Sequence, residues 1–231
     1  MQINARQPLV IAHRGASRDA EENTLAAFRL ALAQRADMIE TDLHLTCDGR
    51  IVLVHDSELG DSDVTRLTLA EVLQRAPQVP TLEQALDEVG GRIPFNLEIK
   101  PRPDGDYRAI ADAARQVVAR RHLEAAMLWS SFAPEALETL REREPAARLG
   151  VLVGDAAQAF DAVARARALG AEAVHPHLPL VTAELIAALH AAGLAVHVFT
   201  VDDADDMRRL VSLGVEGIFT NFPARLRQLL G

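Results

Sequence analysis

The sequence predicts an α/β protein, specifically a (β/α)8 barrel with a small β-hairpin arm after the second strand. Short apolar runs alternate with helical stretches almost from end to end, the pattern of a parallel sheet with helical crossovers. Eight such strand and helix units fit within 231 residues, near the roughly 250 that this barrel usually takes. An open doubly wound sheet is the alternative. It would carry a glycine-rich phosphate loop after its first strand, and neither G-x-G-x-x-G nor G-x-x-x-x-G-K-[ST] occurs in the chain.

The strands are expected at Leu9–Arg14, Met38–Leu43, Pro94–Lys100, Met127–Ser131, Arg148–Val153, Ala173–His177, Ala195–Val201 and Gly217–Thr220. Helices are expected at Thr24–Ala33, Leu82–Glu88, Tyr107–Arg121, Pro134–Arg143, Ala156–Leu169, Thr182–Ala191, Asp203–Leu213 and Pro223–Leu230. Gly170, Gly193 and Gly214 stand just past helical runs, where a left-handed cap costs glycine least. Pro134 and Pro223 suit first-turn positions. Between the second strand and a helix-like run at Leu67–Arg75, Asp48-Gly49 separates two strand-like runs, a strong two-residue hairpin signal. Such a turn sets Cys47 against Arg50 and Asp42 directly across from His55, with their Cβ atoms about 5 Å apart.

The length suits a single domain spanning 1–231. Apolar residues make up 49% and charged residues 25%, and no stretch reaches the ~20 apolar residues needed to cross a bilayer. Met1–Arg6 holds no apolar core of a signal peptide, and the one cysteine, Cys47, excludes an internal disulfide. A cytoplasmic enzyme is expected. The net charge of −9 argues against nucleic acid and anionic membrane surfaces as partners; no stable membrane association is expected, and homo-oligomerisation is left open.

Chemistry-bearing residues end several strands. His13 and Arg14 close the first. Glu40 and Asp42 share one face of the second by the period of two, and Glu98 and Lys100 repeat that spacing in the next barrel strand. His55-Asp56 closes the hairpin arm. Singly, each has an ordinary explanation: a capped histidine, a half-solvated strand, a surface ion pair. Jointly they end separate strands at one end of one sheet, the end where barrel sites lie. Three converging carboxylates need a cation, and their oxygens suit Mg²⁺ or Ca²⁺. With a divalent ion, Arg14 and Lys100, the site carries a net +1, matched to one phosphodiester anion. His13 and His55 then suit proton transfer. His175 and His177 are rim candidates, His197 is a core or supporting residue, and His44 belongs to the arm. Trp129, Phe132 and Phe199 end strands where a substrate pocket has its floor, while Asp61-Ser62-Asp63 reads as a solvated loop.

These residues resemble a known family. His13-Arg14-Gly15, Glu22-Asn23-Thr24, Met38-Ile39-Glu40-Thr41-Asp42, Thr46-Cys47-Asp48-Gly49, His55-Asp56, Leu97-Glu98-Ile99-Lys100, Ser131-Phe132, Thr200-Val201 and Thr220-Asn221-Phe222-Pro223 are similar in order and spacing to the glycerophosphodiester phosphodiesterases. The likeness spans nearly the whole chain and is most specific in its first half. It implies a (β/α)8 barrel and a divalent metal on Glu40, Asp42 and Glu98. It also implies acid-base work by His13 and His55, phosphate contacts from Arg14 and Lys100, and a place for Phe199 in the substrate pocket. The implied reaction is hydrolysis of a small-molecule glycerophosphodiester, such as glycerophosphocholine or glycerophosphoethanolamine, to glycerol 3-phosphate and an alcohol. A lysophospholipase D-like or cyclic-phosphodiester activity, or a non-catalytic binding domain, are the alternatives. The chain departs from the family pattern at Glu21 (usually Pro), Arg35 (usually Gly), Phe199 (usually Trp), Asp202 (usually Asn) and Asn221 (usually Asp). The swap at Arg35 removes a residue suited to a helix cap. The segment after His55-Asp56 is short, which predicts an open mouth and favours small polar headgroups.

Overall fold

The structure, a computed structural model, describes residues 7–102 and 104–231; the leader expectation at Met1–Arg6 lies outside them. β1 (Leu9–His13) leads through α1 (Leu25–Ala33) to β2 (Met38–Leu45). An arm follows, made of β3 (Ile51–Leu53) with the short β4 (Glu58–Leu59) and β5 (Ser62–Asp63), and then α2 (Leu69–Arg75) and α3 (Leu82–Val89). Strand and helix alternate thereafter: β6 (Phe95–Ile99), α4 (Arg108–Ala119), β7 (Met127–Ser131), α5 (Pro134–Arg143) and β8 (Arg148–Val153). The chain continues with α6 (Ala156–Phe160), α7 (Ala162–Leu169), β9 (Ala173–Pro176), α8 (Ala183–Ala191), β10 (Ala195–Val198), α9 (Ala204–Leu213), β11 (Gly217–Thr220) and α10 (Pro223–Leu230).

Eight of these strands form a closed parallel barrel in the order β1-β11-β10-β9-β8-β7-β6-β2, with β1 pairing to both β2 and β11. Alternation assigns the two faces. Val10, Ala12, Ile39, Leu43, Leu97 and Ile99 point outward into the main core shared with the helices. Ile11, Met38, Leu128 and Phe219 form a separate cluster; they share the inward parity, so the barrel is filled rather than open. The helices start where side chains satisfy free N–H groups: Thr68 with Glu71 and Thr81 with Gln84 form capping boxes, and Pro134 and Pro223 occupy the first turn. Gly170 and Gly214 close their helices in the left-handed region, at φ of 61° and 78°.

Several expectations need correction. Asp48-Gly49 is not a two-residue turn. Thr46 and Arg50 flank a three-residue loop, with the Thr46 N–H donating to Arg50 O, and Gly49 sits at φ 79°. A left-handed glycine closing a three-residue loop shifts the register by one. β2 and β3 therefore pair Leu43 with Leu53 and Leu45 with Ile51, and Val54 rather than His55 donates to the Asp42 carbonyl. Cys47 donates to Leu67 O and does not face Arg50 as a pair. The stretch 156–169 is two helices, because α6 buries no residue that would hold it in line with α7 and the chain turns at Asp161. Asp61-Ser62-Asp63 belongs to the small β4–β5 hairpin. At the end of α1, Arg35 takes φ 59°, a left-handed position that costs a side-chain-bearing residue about 1–2 kcal/mol.

Candidate active site at the barrel mouth

β1, β2 and β6 run side by side, with His13 level with Glu40 and Asp42 level with Glu98. Because Glu40 and Asp42 are two residues apart, both face inward, and the parallel register brings Glu98 beside them. One oxygen from each of the three carboxylates lies within 4.8 Å of the others. All three residues are buried, Asp42 to 1% exposure. β1 stops at His13, and Arg14 turns into the left-handed region at φ 56°, which lets its N–H donate to Glu40 Oε2 at 2.9 Å.

The charges are unevenly neutralised. Lys100 Nζ lies 3.1 Å from Asp42 Oδ1 and 2.9 Å from Glu98 Oε1, and Arg14 Nε lies 3.4 Å from Asp42 Oδ2. Asn23, held at φ 55°, donates to Asp42 Oδ2 at 2.8 Å while accepting from Thr41 Oγ1. Burial pushes the Asp42 carboxyl up, but Lys100, Arg14 and Asn23 outweigh it and hold the group below the usual range. Glu40 is pushed well up by burial and by the neighbouring Asp42 and Glu98. Burial and Asp42 likewise raise Glu98 to about 7. Among the described residues, buried Glu40 Oε1 has no hydrogen-bond partner. An acidic trio with only two cations against it, and with a free buried oxygen on Glu40, fits a hard divalent cation.

The two histidines reach this cluster by different routes. His13 ends β1, and its Nε2 lies 4.0 Å from Glu40 Oε2. Its Nδ1 lies 2.8 Å from Asn221 Oδ1, a residue 208 positions away that follows β11. Burial, and then the charge of Arg14, lower the His13 pKa and favour the neutral ring. His55 is delivered by irregular backbone after β3 has ended, and its Nδ1 lies 2.8 Å from Asp56 Oδ1. The expected Asp42–His55 strand pairing is therefore absent, yet His55 still reaches the cavity, because leaving the ladder frees it from the face the register would impose.

The cavity measures about 220 Å³, and His13, Arg14, Glu40, His55, Glu98 and Lys100 line its charged wall. Phe132, Leu152, His177, Phe199 and Phe219 form the opposite wall, where Phe199 packs edge-on to Phe132 at 5.8 Å and stacks with His177 at 5.4 Å. Phe199 and His177 thus reach the cavity. His175 does not: it is fully buried beside His197, the rings stacked at 5.0 Å. Trp129 is buried with the outward-facing core. His44 is tied to the arm, its Nε2 lying 3.3 Å from His55 O. Three contributors carried no role in the sequence reading: Asn23 under Asp42, Asn221 behind His13, and Asp202 behind Asn221. Asn23 was visible within Glu22-Asn23-Thr24. Asn221 was visible within Thr220-Asn221-Phe222-Pro223, and both it and Asp202 as departures from the family pattern.

Fold and site together define a barrel enzyme of the phosphoric diester hydrolase class. The model of the Glycerophosphoryl diester phosphodiesterase family matches residues 13–225, and the chain belongs to that family. A glycerophosphodiester phosphodiesterase of Bacillus altitudinis is 32% identical over 94% of this chain and 95% of its own length. One from Caldanaerobacter subterraneus subsp. tengcongensis is 30% identical over 96% of this chain and 97% of its own. The solved structure of an Oleispira antarctica phosphodiesterase, in complex with the product sn-glycerol-3-phosphate, superposes with a TM-score of 0.87 at 30% identity, covering 97% of each chain.

Proposed function

We propose that the chain hydrolyses small glycerophosphodiesters, such as glycerophosphocholine or glycerophosphoethanolamine, to glycerol 3-phosphate and an alcohol, using Mg²⁺ or Ca²⁺ held by Glu40, Asp42 and Glu98. The observation that carries this reading is the convergence of that acidic trio with His13, His55, Arg14 and Lys100 around one small cavity. The product bound in the Oleispira antarctica relative supports the glycerol 3-phosphate half of the substrate. A bound divalent ion supplies charge neutralisation at the phosphoryl oxygens.

The remaining work falls to this chain's own groups. Arg14 and Lys100 donate to phosphate oxygens and offset the charge that grows there as the bond breaks. Arg14 is braced for this by Glu22, whose two oxygens lie 3.0 Å from Nη1. One imidazole accepts the proton of the nucleophile, either the glycerol 2-hydroxyl or a water, and the other gives a proton to the departing alkoxide oxygen. The opposite wall of Phe132 and Phe199 excludes water from one side and receives the apolar parts of the substrate. The reading places the enzyme in the cytoplasm and apart from the membrane, supported by the lone Cys47 and the net charge of −9. Among the described residues, no helix is long and apolar enough to cross a membrane.

The test is turnover of glycerophosphocholine, followed as released glycerol 3-phosphate, with EDTA and with Mg²⁺ or Ca²⁺ restored. Release that stops on chelation and returns with metal is expected. Full activity in excess EDTA would remove the metal from the reading. Parallel arms with lysophosphatidylcholine and a cyclic glycerophosphate separate the alternative activities.

A further inference from the structure

The hydrogen bonds behind His13 run in one direction. Asp202 accepts on all sides: its Oδ1 takes the Asn221 N–H at 2.9 Å and the Thr220 hydroxyl at 3.1 Å, and its Oδ2 faces Asn221 Nδ2 at 2.6 Å. A carboxylate offers no proton, so the Asn221 atom facing it is the amide NH₂. That orients the amide and leaves its oxygen toward His13, where Oδ1 lies 2.8 Å from Nδ1. Ser17 Oγ stands 2.8 Å from the same oxygen and 2.8 Å from the His13 backbone carbonyl. An amide oxygen only accepts, so His13 Nδ1 must carry the proton. In the neutral ring Nε2 is then bare, and Nε2 is the nitrogen turned toward Glu40.

We infer that Asn221, oriented by Asp202, is a positioning residue that fixes His13 in the Nδ1–H tautomer with its bare Nε2 directed at the reacting atoms. The inference rests on the acid-base reading of His13 given above. It adds that two residues after β10 and β11, near the opposite end of the sequence, set what the first strand's histidine can do. His55 lacks such a relay, since its Nδ1 partner is the adjacent Asp56, whose side chain is 81% exposed. The relay can also be inverted without losing a bond. With Asn221→Asp and Asp202→Asn together, residue 202 still accepts from Thr220 and from the 221 N–H, residue 221 still accepts from His13, and only the link between them reverses its donor.

The test uses the full chain. In ¹³C,¹⁵N-labelled enzyme, the His13 ring nitrogen and Cδ2 shifts report the tautomer directly and without turnover. The Nδ1–H form is expected in the unsubstituted enzyme; a dominant Nε2–H form would overturn the inference whatever the activity. Asn221→Leu should convert the ring to a mixture of tautomers and lower kcat on the order of 10²-fold, within the range that an acid-base group supplies, with KM changed less than threefold. The double inversion should restore the Nδ1–H signal and recover at least ~10-fold of that kcat. If Asn221→Leu keeps kcat within threefold, or the inversion restores folding but neither signal nor rate, Asn221 only packs. His13→Ala run alongside separates the two levels: undiminished kcat there would overturn the acid-base reading, whereas the tautomer result judges Asn221 alone.

Discussion

The barrel mouth has two walls, drawn from different parts of the chain. β1, β2 and β6, with the arm, supply every charged side chain lining the cavity, from His13 and Glu40 to Glu98 and Lys100. The loop after β7, strands β8 and β11 and the residues just past β9 and β10 supply Phe132, Leu152, Phe219, His177 and Phe199. Deeper inside, the difference persists. Below the charged wall, Asn96 reaches Ser130 at 2.8 Å, whereas below the aromatic wall lie His175 and His197, with both ring nitrogens of His175 and Nδ1 of His197 unpartnered among the described residues. Room for those rings comes from glycine: a Cβ on Gly150 would come within 2.5 Å of His175, and one on Gly217 within 2.7 Å of His197. One wall is built for charge, and its cost is repulsion among carboxylates. The other is built for shape, and its cost is buried imidazoles whose protonation burial disfavours.

That contrast can be broken experimentally, and the largest effect should come from the charged wall. Glu40→Gln should lower metal affinity measured by calorimetry and cut kcat/KM on the order of 10³-fold, the several kcal/mol that a metal supplies. Circular dichroism should show the fold intact, since a carboxylate repelled by its neighbours is removed. Retained metal affinity would transfer the ligand role away from Glu40.

Next come the histidines of the same wall. His13→Ala and His55→Ala should each lose about 10²–10⁴-fold in kcat on an unactivated diester. If either variant turns over at near-normal rate, that ring has no part in proton transfer.

The aromatic side should reveal itself in stability rather than rate. Burial lowers the His197 pKa to about 4 and holds His175 well below its ordinary value. Between about pH 6.5 and pH 4 the unfolded chain takes up protons that these folded rings refuse, so stability present above pH 6.5 is lost as pH falls. For His197 alone the loss is about 3 kcal/mol. Glu98, raised to about 7, works in the opposite sense, because folding favours its protonated form as pH falls below 7. The clean measurement is therefore the difference between the parent and His197→Phe in denaturant midpoint across this window. A difference that does not change with pH would mean that His197 stays solvated.

The smallest effect is expected at Phe199→Ala, which removes an edge-on partner of Phe132 and a stacking partner of His177. KM should rise several-fold, about 1 kcal/mol of lost contact, with kcat changed less. A kcat loss as large as that of His13→Ala would mean that the two walls are not separate in function.

The charged wall was legible because its residues lie at the ends of apolar runs at a spacing of two, and alternation alone puts Glu40 with Asp42 and Glu98 with Lys100 on shared faces. The aromatic wall was only partly legible. His175 and His177 have that same spacing, and nothing local distinguishes the cavity-lining ring from the buried one. The reading of the arm failed for a related reason. Asp-Gly signals a tight turn, but a single left-handed Gly49 at the third loop position moved the ladder by one residue, a choice made together with Cys47 bonding to Leu67.

By itself, then, the sequence determined the strand and helix alternation, the barrel class, the helix starts at Thr24, Pro134 and Pro223, and the identity of the charged residues that converge on the mouth, because period, caps and turn residues act over a few positions. Tertiary structure alone decided how those residues are tuned. Barrel closure sets β11 against β1 and so brings Asn221 and Asp202 behind His13. Arg35, in the left-handed region that glycine would occupy more cheaply, has its carbonyl held by Arg227 of α10. Burial among neighbouring charges raises Glu98 while Lys100 and Arg14 hold Asp42 down. These are contacts between segments far apart in the chain, and their energies depend on distance and solvent exclusion, quantities that exist only once the barrel has closed.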